Sequence, residues 1–152
     1  MILGVPYIVP IYFIYGLAFF SMALLVAAEG GRASDVRLRR ALPPLAGFGL
    51  VHAAHEWMEM YVLMGHPISD LEVSVMSALQ LASLAFSFMS LAAFCSFLLA
   101  DNEITRRLIL LIPIGLEAIW VFGLYDFSGQ YSDHVLWDIA DTWTRYTLAI
   151  PA

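Results

Sequence analysis

The sequence contains no lysine, and charged side chains of all kinds make up only 13% of its 152 residues. Basic patches, glycine-rich phosphate loops and nucleophile elbows are all missing, so we predict neither a nucleic-acid partner nor an enzymatic activity for this chain. An enzymatic domain elsewhere in a longer protein stays open. The single cysteine, Cys95, excludes an intramolecular disulfide.

Hydrophobic residues, in contrast, make up 61% of the chain, and the mean hydropathy is +0.80. Soluble domains contain roughly 45–50% apolar residues. A membrane-spanning helix needs about 20 apolar residues, so the chain has room for about five such helices and for no further soluble domain. We predict one all-α domain over residues 1–152, a polytopic transmembrane helical bundle with helices at about 7–28, 41–64, 72–100, 108–125 and 135–152.

The positions of the arginines predict the orientation of this bundle. Six of the seven arginines lie in two short segments, before the second and fourth predicted helices: Arg32, Arg37, Arg39, Arg40, Arg106 and Arg107. The positive-inside rule places both segments in the cytoplasm. We therefore predict a multi-pass membrane protein with the N-terminus outside and the C-terminus cytoplasmic. The fifth run is still apolar at Ala152, which predicts a chain truncated within or just after helix 5.

The second predicted helix contains the side chains that cost the most free energy to place in a membrane. His52, His55, Glu56 and Glu59 follow the spacing i, i+3, i+4 and i+7, and therefore share one helical face. An ionised acid near the bilayer centre costs about 2.5–3.5 kcal/mol on insertion scales. We expect this face to point towards protein and away from lipid.

Other polar residues are predicted at a similar depth, in the outer half of the membrane, from a rise of about 1.5 Å per helical residue. The predicted metal or ligand-binding residues are His52, His55, Glu56, Glu59, Glu117 and Asp141. The predicted supporting network comprises Arg145, Asp138, Gln80, Trp57, Trp143 and His134. Within it we expect a bidentate pair of Arg145 with Glu56 or Glu117, and we expect Trp57 and Trp143 to lie close enough to line a planar ligand.

Three ligands compete for this site. A transition-metal ion such as zinc, iron or copper comes first, because imidazole combined with carboxylate suits these ions. Haem b with a histidine axial ligand is the second, and six-coordinate haem would require a partner such as His134 or Met76 from another helix. The third is a quinone, or a proton-responsive pocket whose carboxylates titrate with the redox state of the ligand. A polar network that only fixes helix packing is the remaining interpretation.

Several segments carry a resemblance to a known family: residues 15–22 (YGLAFFSM), the arginine-rich loop, residues 49–57 (GLVHAAHEW) and the late Arg145-Tyr146. Together they resemble the N-terminal membrane module of bacterial sensor histidine kinases and diguanylate cyclases. The resemblance implies a sensory input domain in the bacterial inner membrane, followed in cis by a cytoplasmic signalling domain, and a homodimer. The residues alone also fit an electron-transfer or metal- or haem-binding membrane subunit without a kinase output.

Overall fold

The computed structural model describes residues 7–65, 70–100, 102–109 and 111–152. Within these ranges the regular structure is entirely helical, which confirms the all-α prediction. The elements are α1 (Ile8–Gly30), α2 (Val36–Leu63), α3 (Asp70–Leu99), α4 (Glu103–Ile109), α5 (Leu111–Ser128) and α6 (Asp133–Thr144), and a π-helix (Arg145–Ala149) follows α6.

Three segments are long and apolar enough to cross a membrane: Ile8–Gly30, Val73–Leu99 and Arg107–Ser128. Large apolar side chains on these segments point away from the protein, and Leu25, Phe86 and Phe122 are 68%, 59% and 72% exposed. Such a surface requires a lipid environment. The chain is therefore a membrane protein, while a membrane crossing by α2 and α6 and the N-outside orientation stay predictions.

The start of α2 differs from the prediction, because this helix begins at Val36 and not near residue 41. Asp35 caps it: the Asp35 Oδ1 accepts hydrogen bonds from the backbone N–H groups of Arg37 at 2.7 Å and Leu38 at 3.2 Å. These are amides that the first helical turn leaves without a partner. The second half of the arginine segment is consequently helical, and Pro43 and Pro44 lie inside α2 and not in its first turn.

The other boundaries lie closer to the predictions. α1 and α3 begin and end within two residues of the predicted limits, α5 extends to Ser128, and α4 precedes it. The last predicted helix begins as α6 but changes at Arg145 into a π-helix, in which each backbone bond spans one more residue than in an α-helix.

Helix α3 lies at the centre of the bundle. It packs against α2 on one side and against α5, α6 and the π-helix on the other, while α1 packs on α2. The core cluster comprises Phe48, Leu84, Ala85, Phe88 and Leu148, from α2, α3 and the π-helix. Among the described residues, no Cα atom of α2 comes within 8 Å of one in α6. A gap therefore separates α2 from α6, and α3 forms its floor.

Candidate functional site

The two histidines of α2 are buried against α3, as the shared face predicts. His52 is 7% exposed and His55 is 1% exposed. The Nδ1 atom of His52 lies 3.2 Å from the Ser87 Oγ. The Nδ1 atom of His55 lies 3.0 Å from the Gln80 carbonyl oxygen and 3.3 Å from the Ser83 Oγ. Both rings are thus held on α3 through the same nitrogen.

The hydrogen-bond network assigns the tautomer of both rings. The Ser87 hydroxyl donates its one proton to the Leu84 carbonyl at 2.7 Å, and the Ser83 hydroxyl donates to the Gln80 carbonyl at 2.8 Å. These oxygens can therefore only accept from the histidines, as can the carbonyl of Gln80. Each Nδ1 consequently carries a hydrogen, and in the neutral ring each Nε2 presents a lone pair.

Both Nε2 atoms face a carboxylate one turn further along α2. The His52 Nε2 lies 3.4 Å from the Glu56 Oε1, and the His55 Nε2 lies 3.9 Å from the Glu59 Oε1. A charge-assisted N–H···O bond is typically about 2.7–2.9 Å long, so both separations are longer than such a bond. The His55 Nε2 is moreover buried and has no hydrogen-bond partner among the described residues.

The two histidines have different surroundings. The His52 ring is enclosed by Phe19, Phe48 and Phe88, with ring centroids 4.5, 5.2 and 5.7 Å away. His55 instead borders a cavity of about 350 Å³, which we call the histidine cavity. This cavity is lined by Ile8, Ile11, Tyr12, Tyr15, His55, Glu56, Glu59 and Arg145.

A second cavity, of about 560 Å³, fills the gap between α2 and α6, and we call it the four-helix cavity. It is lined by Tyr12, Glu59, Val62, Ser77, Gln80, Leu81, Trp137, Asp138, Asp141, Thr142 and Arg145. Tyr12, Glu59 and Arg145 border both cavities, so the two are neighbours. Together they form one region, the polar cleft, whose walls are α1 and α2 on one side and α6 with Arg145 on the other.

The expected pair of Arg145 with Glu56 or Glu117 is not formed. Arg145 instead binds Asp141, one turn earlier, in a bidentate arrangement with Nε–Oδ2 at 2.8 Å and Nη2–Oδ1 at 3.2 Å. Asp141 is in α6 and Arg145 begins the π-helix that continues it, so the pair forms without bridging the gap between α2 and α6. Arg145 nevertheless lines the same cavity as Glu56 and Glu59.

The remaining predicted residues fall into three groups. Asp138 and Gln80 line the four-helix cavity, and the Gln80 carbonyl also holds His55. Glu117 lines neither cavity, although its Oε2 atom is buried and finds no hydrogen-bond partner in the part of the chain that the structure describes. The side chain of His134 lies outside the described residues.

Trp57 and Trp143 pack between helices and do not line the cleft. Trp57 lies over Gly16 of α1 and donates its indole N–H to the Phe13 carbonyl at 3.4 Å. Trp143 lies over Gly123 of α5 and donates to the Trp120 carbonyl at 3.2 Å. In each case a β-carbon on the glycine would collide with the indole ring. The two tryptophans therefore join α1 to α2 and α5 to α6.

Sequence reasoning missed the serines that hold the histidines and the tyrosine that borders both cavities. Ser83 and Ser87 contact the two rings, although neither serine is among the predicted site residues. The two serines are four residues apart on α3, and the two histidines are three residues apart on the facing helix. Either spacing places both members on one helical face, so the two pairs can meet. This correspondence was the available signal in the sequence.

A search of the described part of the chain finds no group of three or more His, Cys, Asp or Glu side chains arranged to hold a metal ion. Comparison of the chain with protein-family models, curated protein sequences and solved structures gives no match. The polar cleft itself must therefore carry any argument about function.

Proposed function

We propose that this chain is a membrane-embedded sensory module, which binds a ligand in the polar cleft and passes the binding event to its last helix. The observation that carries the proposal is the position of the cleft. Glu59 of α2 and Asp141 of α6 line the same cavity, although the two helices have no backbone contact among the described residues. A ligand that touches both walls changes the free energy of bringing α6 towards α2. Such a differential interaction is what a conformational switch requires.

The charges around the cleft support the same function. Four acids line it, namely Glu56, Glu59, Asp138 and Asp141, and Arg145 is the one arginine among the lining residues. Two carboxylates about 8 Å apart repel each other by about 2 kcal/mol at an effective dielectric constant of about 20. Reversing a two-state equilibrium from 1:99 to 99:1 requires about 5.5 kcal/mol. Cancelling a few such repulsions with a cation or protons is therefore large enough to move α6.

The π-helix offers a route by which movement in the cleft reaches the following residues. It begins at Arg145, which borders both cavities, and its Thr147 and Leu148 are buried against the rest of the bundle. Single π-helical turns occur mostly inside α-helices and frequently at functional sites. Conversion to α-helix would rotate the residues beyond it by about 100°, since one residue of an α-helix turns by that angle.

Orientation, location and partners are part of the same proposal. The arginine distribution supports a cytoplasmic direction for the last helix, and the resemblance to bacterial input modules supports a location in the inner membrane. The resemblance to kinase and cyclase input modules supports a cytoplasmic signalling domain in cis and a homodimer. Metal ion, haem b and quinone are the candidate ligands, and an absorption spectrum with a metal analysis of the purified protein separates them.

The test measures the distance between α2 and α6 in lipid. Two spin labels, on Leu63→Cys and Val135→Cys, are introduced with Cys95→Ser, because Leu63 and Val135 are exposed positions on the two helices. The distance distribution between the labels is measured by pulsed electron paramagnetic resonance, without ligand and with Zn²⁺, haem or a quinone. We expect one of these ligands to shift the distance distribution. An unchanged distribution with all three would contradict the proposal.

A matched label pair controls for general effects of the ligands. Leu25→Cys and Leu38→Cys are exposed positions on α1 and α2, which pack directly on each other. The distance between these labels should stay the same under all conditions. A ligand that changes both distances equally acts on the whole bundle and does not support transmission through α6.

A further inference from the structure

We infer that His55 and Glu59 form a binding site for a divalent transition-metal ion of the zinc class, at the edge of the histidine cavity. The inference rests on the proposed function in one respect, since it names the ligand of the same cleft. It depends on the geometry of the two side chains and not on any movement of α6.

The separation of the donor atoms is the first argument. In a tetrahedral zinc site with bonds of about 2.0–2.1 Å, two donor atoms lie about 3.4 Å apart. The His55 Nε2 and the Glu59 Oε1 are separated by 3.9 Å, so a shift of a few tenths of an ångström brings them to this distance. A direct hydrogen bond would require a closer approach, to about 2.7–2.9 Å.

The state of His55 is the second and independent argument. Its ring is 1% exposed, and its Nε2 is buried without a hydrogen-bond partner within residues 7–65, 70–100, 102–109 and 111–152. A buried polar atom normally finds a partner, because leaving one unsatisfied is costly. A metal ion between the Nε2 lone pair and the Glu59 carboxylate would satisfy both groups.

The contacts on the other side of the ring fit the same site. The Nδ1–H of His55 donates to the Gln80 carbonyl at 3.0 Å, and Ser83 lies beside it. Histidines that bind a metal through one nitrogen commonly donate the other N–H to a carbonyl or carboxylate, which fixes the ring orientation. The ring is thereby already in the tautomer that a metal ion requires.

The histidine cavity provides the remaining coordination positions. Its volume of about 350 Å³ leaves space for water molecules, and Glu56 lies on its wall. Zinc sites that act on a ligand keep a coordination position open, whereas structural zinc sites are closed. Imidazole with carboxylate favours zinc and related ions over Mg²⁺, which prefers oxygen donors.

The test is a titration of the purified full chain in lipid nanodiscs with ZnCl₂, and with MgCl₂ for comparison, by isothermal titration calorimetry. We expect one Zn²⁺ ion per chain and no comparable binding of Mg²⁺. His55→Ala and the isosteric Glu59→Gln should each weaken Zn²⁺ binding by about 100-fold, the scale on which disturbing a metal ligand shell acts.

Glu29→Gln is the matched control, because it removes an exposed carboxylate that pairs with Arg32 on the surface, away from the cleft. It should bind Zn²⁺ as the unchanged chain does. Thermal unfolding checks that each variant is folded, and Glu59→Gln keeps the test decisive if His55→Ala does not fold. Absence of Zn²⁺ binding, or binding that Glu59→Gln leaves unchanged, would overturn the inference.

The outcomes also separate this inference from the proposed function. Zn²⁺ binding that requires His55 and Glu59, together with an α2–α6 distance that no ligand changes, supports the metal site and contradicts transmission through α6. A distance that changes with a quinone, together with absence of Zn²⁺ binding in the calorimetric titration, supports the sensory module and overturns the metal site.

Discussion

Helix α2 carries two His–Glu pairs with identical spacing, and comparing them shows how much the surroundings decide. His52 lies among three phenylalanine rings and does not line the histidine cavity, whereas His55 lines it, as do both carboxylates, Glu56 and Glu59. Both histidines bind α3 through Nδ1 and direct Nε2 at a carboxylate. The ring of His52 serves packing, while that of His55 is accessible to a ligand. One sequence pattern therefore supplies a structural histidine and a candidate binding histidine.

The largest expected difference between the pairs is in metal affinity after truncation of each histidine. Replacing His55 by Ala should weaken Zn²⁺ binding by about 100-fold, whereas replacing His52 by Ala should change it by less than about threefold. Both rings are buried, so each variant should lose about 2–4 kcal/mol of unfolding free energy. Calorimetric titration and denaturant unfolding measure the two quantities. Equal losses of affinity in the two variants would remove the distinction between the pairs.

The next largest difference concerns the serines on α3. Ser87→Ala removes the acceptor that holds the His52 Nδ1–H, and a buried donor without an acceptor costs about 1–3 kcal/mol. Ser83→Ala leaves His55 bound to the Gln80 carbonyl, so it should cost less than about 1 kcal/mol. The free energy of unfolding of both variants provides the comparison. A larger loss for Ser83→Ala would show that His55 depends on the hydroxyl more than on the carbonyl.

A smaller effect is expected when His52 is replaced by Phe. The new ring fills a similar volume among Phe19, Phe48 and Phe88, and Ser87 keeps its bond to the Leu84 carbonyl. The cost should therefore stay below about 1.5 kcal/mol, as for other volume-conserving core substitutions. Thermal unfolding and Zn²⁺ titration test this. Loss of zinc binding in His52→Phe would assign His52 to the metal site.

The smallest effect is expected for the ion pair of the cleft between Asp141 and Arg145. Both side chains are substantially exposed, at 42% and 50%. Pairs of this kind at i, i+4 contribute about 0.3–0.5 kcal/mol, so Asp141→Asn should barely change the unfolding free energy. A loss above about 2 kcal/mol would mean that this pair is desolvated in the membrane and holds α6 in place.

The sequence predicted the helical class and the shared face of α2 because both depend on local periodicity and composition. The apolar composition of long segments predicts membrane helices, and a spacing of three or four residues places side chains on one face of a helix. No tertiary contact is needed for either step. The start of α2 was misplaced because a single hydrogen-bonding side chain, Asp35, extends the helix into an arginine-rich segment that composition alone assigns to a loop.

The partners within the site were harder to predict because they depend on distances between helices. Arg145 was expected to pair with a carboxylate on another helix, but it pairs with Asp141, which is one turn away, while α2 lies across a gap. His55 is held by the backbone carbonyl of Gln80. Every residue has such a carbonyl, whatever its side chain, so sequence patterns do not reveal which one is used. Glu117 was predicted in the site from its depth in the membrane, but it does not line the cleft. Depth does not specify the direction in which a side chain points.

The two glycine–tryptophan contacts have a consequence for how this protein can change over evolutionary time. Gly16 with Trp57, and Gly123 with Trp143, each leave no room for a β-carbon beneath the indole. A larger residue at either glycine is therefore tolerated only after the tryptophan has been replaced by a smaller side chain. In related sequences, Gly16 and Trp57 should therefore be substituted together, and so should Gly123 and Trp143. Substitution of one glycine–tryptophan pair should not depend on the other pair. That covariation would be visible in an alignment before any ligand is known.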